Sequence, residues 1–241
     1  MEKKNSKIKI ALDQLIGKAE TESLRDSEQK LEGLMMVEGL KTEIIKRQKL
    51  NESIKQEILK MLRGNLSRNK DKYIIYTDGA TNTKTKEEAR GSSMGIGWVQ
   101  TNETQEWPEE ETSLGLEGWM TSTIAELVAI WAAILTIPRG KQVEIYTDSN
   151  AAIRNISRGL EQIDRMKILK KKNAIWIMKI IDLINTKNIQ IELVKVKSHS
   201  KDKWNDKADS LAKKGTISEK VIQIEKVSCE EIEYCLEWEN K

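Results

Sequence analysis

Apolar and polar positions alternate between two rhythms along this chain. Up to about residue 66 the apolar residues Leu31, Leu34, Leu40, Ile44, Ile54, Ile58 and Leu62 recur at mostly helical intervals among Lys and Glu, with no proline, which predicts an amphipathic helical extension over 1–66. Gly64 to Asp71 is polar and rich in turn formers and is the expected boundary. The rhythm then changes. Tyr73, Ile74, Ile75, Tyr76 and Thr77 make a β-rich run expected to stop in a turn at Asp78 and Gly79, and Gly95 to Gln100 predicts a second strand. Beyond a polar stretch holding Trp107 and Pro108, Ile124, Leu127, Val128, Trp131 and Leu135 follow a period of three and four, with Thr121, Ser122 and Thr123 as candidate caps and a break near Pro138.

Val143 to Thr147 predicts a strand running into Asp148, and Asn150 to Ile156 a helix. After a basic run from Arg165 to Lys172, Ile175 to Ile184 predicts another helix and Ile189 to Val196 another strand. Asn205 to Lys214 is helical and stops at Gly215. Strands that come early and then alternate with helices imply an α/β domain over 73–215 with a mixed sheet covered by helices, followed by a charged tail over 216–241.

Composition narrows the chemistry. The chain is 38% hydrophobic and 33% charged, enough apolar surface for a folded core, and its net charge of +3 permits a polyanionic partner without requiring one. No run approaches the 18 or more apolar residues of a membrane span and the first residues lack the pattern of a secretory signal, so an intracellular protein, in nucleus or cytoplasm, with no membrane contact is expected. Cys229 and Cys235 offer neither a disulfide framework nor a zinc-site spacing. His199 is the single histidine, which excludes sites needing two imidazoles, so the chemistry must rest on carboxylates.

Two segments share one form: Ile75-Tyr76-Thr77-Asp78 and Ile145-Tyr146-Thr147-Asp148, each an apolar strand delivering an aspartate. Ligand sites of open α/β sheets lie beyond the carboxyl ends of strands, and neighbouring strands are about 4.8 Å apart, so two such aspartates could hold divalent cations between them. Glu126 interrupts an apolar helix face and is a third candidate ligand; Asp209, beside Ala208 on the last helix, is a fourth. Oxygen donors favour Mg²⁺, with Mn²⁺ as the alternative, over zinc. Singly, an aspartate before glycine is by default a turn residue, and a helix glutamate or aspartate a solvated charge.

In order, YTDGA (76–80), TSTIAELVAI (121–130), YTDSNAAI (146–153) and VKSHSKDKWNDKADSLAKKG (196–215) resemble the type 1 ribonuclease H family over about residues 73–215. The resemblance implies a five-stranded mixed sheet flanked by helices and an endonuclease that cuts the RNA strand of RNA/DNA hybrids with two metal ions, leaving 5′-phosphate and 3′-hydroxyl ends. It implies that Asp78 bridges both ions, Asp209 helps hold the ion on the attacking-water side, and Glu126 with Asp148 holds the one on the leaving-group side. His199 would assist proton transfer or product release. Gly79, Ala80, Ser122 and Asn150 match positions near the hybrid's minor groove, and Thr121 one near a DNA-strand phosphate. Arg165, Lys167, Lys170, Lys171 and Lys172, followed by Trp176, resemble the family's basic protrusion, which would clamp the hybrid backbone; as bare sequence the same run is a solvated face.

Two departures accompany the match: Ser200 and Lys201 replace the usual glycines after the loop histidine, and Asp206 stands where Glu is frequent. Neither removes a carboxylate. Residues 1–66 lack the hybrid-binding module of many eukaryotic relatives, which leaves self-association, a protein partner or the remnant of a larger polyprotein as their uses. Cellular and retroelement origins both fit. Two other functions share this fold: a nucleic-acid binder with little catalysis, and DNA transposition or exonuclease work. The helix beginning at Trp204 and the loop histidine favour the ribonuclease.

Overall fold

The computed structural model describes residues 44–81, 94–118, 121–162, 165–197 and 202–224. The chain divides between Ile44 and Ile45, and the elements below belong to the unit that starts at Ile45. They are α1 (Glu52–Arg68), β1 (Lys72–Thr81), β2 (Met94–Thr101), β3 (Pro108–Glu117), α2 (Ser122–Leu135), β4 (Gln142–Thr147), α3 (Asn150–Glu161), α4 (Arg165–Leu169), α5 (Ala174–Lys187), β5 (Gln190–Lys195), α6 (Lys203–Gly215) and β6 (Val221–Gln223). The sheet order is β5-β4-β1-β2-β3-β6. β1, β2 and β3 pair antiparallel, while β4, β5 and β6 join parallel to β1, β4 and β3 respectively, giving the expected mixed sheet.

Strand alternation sends successive side chains to opposite faces. Ile74, Tyr76 and Val99 pack with Trp204, Ala208 and Leu211 of α6. The other face carries α2, buried from Ala125 to Leu135, with Trp131 set edge-on against Trp176 of α5 at 5.5 Å. Covered on both faces, β2 is buried at all eight positions. Its glycines let α6 lie backbone against backbone: a Cβ on Gly97 would stand 2.4 Å from the Ala212 nitrogen, and one on Gly95 2.3 Å from the Ala212 oxygen. α2 ends on the buried amine of Lys187. Lys187 Nζ donates to the carbonyls of Ile134, Leu135 and Ile137 at 3.0, 2.8 and 2.7 Å, satisfying acceptors that a helix end leaves open.

Four expectations need correction. The sheet has six strands rather than five, because Val221–Gln223, assigned to the tail, adds beside Gly115–Glu117 of β3. β3 forms in what the sequence marks as a polar stretch. β1 does not stop at Asp78 but continues to Thr81, Asp78 pairing with Gly97 and Gly79 with Ile96 of β2. The stretch 64–71 is not the run of turn residues its composition suggested. It is the last turn of α1, capped by Asn69 in the left-handed region at φ 46°, leading at once into β1.

α1 is fastened to the sheet accordingly. It buries Ile54, Ile58, Leu59, Met61 and Leu62. Asn65 exchanges hydrogen bonds with the Gln100 side chain at 2.9 and 2.8 Å and donates to the Thr136 carbonyl at 3.0 Å. Tyr73 donates its hydroxyl to the Asn65 carbonyl. No helix among the described residues is long and apolar enough to cross a membrane.

Candidate active site

Register explains how the two repeated segments meet. β1 and β4 run parallel with Ile75 beside Ile145 and Tyr76 beside Tyr146. The two tyrosine rings stack at 4.5 Å. Two residues further along each chain stand Asp78 and Asp148. Thr147 Oγ1 accepts from the Ser149 amide and Ser149 caps α3, so the chain turns into a helix directly after Asp148.

Glu126 arrives from the other face. Thr121 caps α2 by accepting from the Ile124 amide at 3.3 Å, which starts the helix and places Glu126 in its second turn. β1 and α2 then touch through Gly79, where any Cβ would stand 2.8 Å from the Ala125 carbonyl carbon and the Glu126 nitrogen. Only glycine permits that approach. One carboxylate oxygen each of Asp78, Glu126 and Asp148 lie within 4.8 Å of one another.

Three carboxylates this close repel, and two of them are out of water. Asp78 is 8% exposed and Glu126 7%. Burial first, then Asp148 and Asp209, push the Asp78 carboxyl up to about 7. Burial, then Asp78 and Asp148, hold Glu126 well above the usual carboxylate range, and it donates a hydrogen bond to Asp78; the Gly79 amide pulls both the other way. Glu126 Oε2 is buried without a hydrogen-bond partner. Burial, mutual repulsion, an unpaired oxygen and an all-oxygen donor set fit a hard divalent cation among these side chains.

Asp209 stands apart from this trio. It lies on α6, near enough for its charge to act on Asp78, but it is not among the clustered oxygens. Its Oδ2 pairs with Lys213 Nζ at 2.5 Å, one helical turn on, and Asp209 in turn holds the Lys213 ammonium above its usual value. Lys213 was not singled out from the sequence, although its spacing of four from Asp209 was there to read. A second cation close by is Lys195, whose Nζ donates to the Asp148 carbonyl.

The remaining candidates divide. Ser122 and Asn150 are exposed at the starts of α2 and α3, and Thr121 is half-buried with its hydroxyl engaged in the cap. Ala80 is buried. Gly79 packs against the backbone of α2. Lys170 and Lys172 are exposed and Lys171 half-buried between α4 and α5, but Trp176 is 3% exposed and turned inward onto Trp131, so it offers no surface to a ligand. His199, Cys229 and Cys235 lie outside the described residues.

Against known proteins, residues 69–217 match the family model described as RNase H. The ribonuclease H of Syntrophomonas wolfei is 30% identical over 148 residues, spanning 58% of this chain and 92% of that protein. That of Wolbachia pipientis wMel is 29% identical over 154 residues, 61% of this chain and 97% of the relative. Among solved structures, the PFV RNase H domain aligns at 23% identity with a TM-score of 0.48, covering 60% of this chain and 93% of its own.

Proposed function

The chain belongs to the ribonuclease H family, and from that premise we propose that it hydrolyses the RNA strand of RNA/DNA hybrids at the cluster of Asp78, Glu126 and Asp148, with Asp209 completing the site. The observation that carries this reading is the meeting of three carboxylates from β1, α2 and the end of β4 within 4.8 Å, two of them buried. Asp78, Glu126 and Asp148, with Asp209 beside them, would hold two Mg²⁺ or Mn²⁺ ions, Glu126 and Asp148 serving one and Asp209 the other, with Asp78 contributing to both. Ions so placed would ease deprotonation of the attacking water and neutralise charge on both in-line oxygens.

The chain's own residues set the rest. Burial of Asp78 and Glu126 keeps bulk water from the ligands, and the Gly79 contact fixes the separation of α2 from β1. Water's oxygen bonds to phosphorus as the bond to the 3′-oxygen breaks, and the departing oxygen takes a proton, leaving a 5′-phosphate and a 3′-hydroxyl. His199 would serve that proton transfer or product release. Lys170, Lys171 and Lys172 would attract the hybrid backbone, a contact that weakens with salt. Substrate choice would rest on 2′-hydroxyls and groove shape, read near Thr121, Ser122 and Asn150.

End-group analysis tests the chemistry. Fragments cut from the RNA strand should accept a 5′ label only after phosphatase treatment, and Asp78→Asn should make none; fragments with 5′-hydroxyl ends would overturn the mechanism.

A further inference from the structure

Asp209 is the one carboxylate of the four that the structure leaves outside the cluster, and it is not left alone. Lys213, four residues on along α6, holds Asp209 Oδ2 at 2.5 Å, with the lysine largely in solvent and Asp209 more than a third exposed. The ammonium also feels Asp78, so its charge lies at the rim of the cluster as well as on Asp209. Asp209 and Lys213 are on the same face of α6, as the spacing of four requires. Lys214, next in sequence, is exposed and forms no ion pair with Asp209.

We infer that Lys213 is a resident counter-cation for Asp209: it occupies that carboxylate in the cation-free enzyme and must yield it when the divalent ion Asp209 serves is bound, so it sets how tightly that ion is held. The inference rests on the reading of the carboxylates as metal ligands. Two cations cannot both take full advantage of one exposed carboxylate, so binding of the ion is a displacement, weakened by whatever the ion pair contributes. An exposed pair is a small competitor, so the effect is a tuning of about two- to fivefold in affinity. The displaced ammonium is then free at the rim, where the scissile backbone carries its negative charge. Lys213 is in this account a positioning residue for Asp209.

The test is a titration of the full chain, without nucleic acid, with Mn²⁺, following loss of the free-ion electron paramagnetic resonance signal. Lys213→Met keeps the length of the side chain and removes its charge; it should tighten Mn²⁺ at the site Asp209 serves about two- to fivefold. Lys214→Met removes the same net charge beside it and should leave the affinity at the wild-type value. In Asp209→Asn the further change Lys213→Met should bring no gain. Equal affinities in wild type and Lys213→Met, or an equal gain in Lys214→Met, overturn the inference while the carboxylate reading stands. Absence of any bound Mn²⁺ in the wild type overturns both.

Discussion

Asp78 and Glu126 carry carboxyl groups where few proteins tolerate them, and the cost depends on pH. With its folded value near 7 against an ordinary 3.8, Asp78 favours the protonated form in the native state. The stability this group contributes is therefore complete below pH ~4 and is lost as pH rises through about 7. Asp78→Asn removes the charge and keeps the shape. In EDTA the variant should melt above the wild type by a margin that grows from pH 4.5 to 7.5, reaching on the order of 2–4 kcal/mol. Added Mg²⁺ should raise the melting temperature of the wild type and leave that of Asp78→Asn unmoved. Scanning calorimetry at several pH values checks this, and a margin flat with pH would contradict the assigned charge state.

Between elements, the site depends on how closely α2 approaches β1. Gly79→Ala puts a methyl group where there is 2.8 Å to two backbone atoms of α2, neither of which can rotate away. Overpacking of this kind costs about 1–3 kcal/mol. Because the contact lies directly under Glu126, the helix must move with the ligand it carries, so hybrid cleavage should fall at least tenfold while circular dichroism stays native. Unimpaired cleavage would show that the separation of Asp78 and Glu126 is not set there. In the sequence this glycine read as a turn residue, since Asp-Gly is a turn signal and nothing local reveals that another helix will lie against it.

The same division between local and distant causes decides what else was legible. The parallel register of β1 and β4 was foreshadowed by two Ile-Tyr-Thr-Asp segments, and the start of α2 by its threonine cap, because both signals are local. β3 was hidden: Pro108 and three successive glutamates do not look like a strand. Their charges are met by partners far away in sequence, Glu109 by Lys70, Glu110 by Arg68 and Glu111 by Lys207. Trp176 failed for a like reason, since an aromatic after a basic run looks like a stacking platform until Trp131 is found against it. Four carboxylates were expected together; the oxygens of Asp78, Glu126 and Asp148 cluster, while Asp209 pairs with Lys213, a partner the strand and helix patterns did not signal.

At the scale of the whole molecule, α1 changes the expected role of the N-terminal region. An associating extension could be removed without harm to the catalytic domain. Instead α1 shares the unit with it, and Asn65 ties it to Gln100 and Thr136 through buried hydrogen bonds. Deleting residues 1–66 would strip the apolar side chains of α1 from their partners and leave the buried Gln100 Oε1 without its Asn65 donor, while the Gln100 nitrogen keeps its bond to Glu109. Unsatisfied buried groups cost about 1–3 kcal/mol each and lost large side chains about 2–5. The truncated protein should therefore unfold at least 10 °C lower by thermal denaturation, on the usual scaling of stability with melting temperature. A melting curve superimposable on that of the full chain would return α1 to the status of a separable extension.

The carboxylates brought together by β1, α2 and β4 are proposed to cut RNA paired to DNA. The most direct measurement is cleavage of a labelled RNA/DNA hybrid beside duplex RNA and duplex DNA, with Mg²⁺ or EDTA, for the full chain and for Asp148→Asn. Cleavage should fall on the hybrid's RNA strand alone, depend on Mg²⁺ and be lost in the variant. Binding without cleavage, or cleavage that survives EDTA or Asp148→Asn, would contradict the proposal.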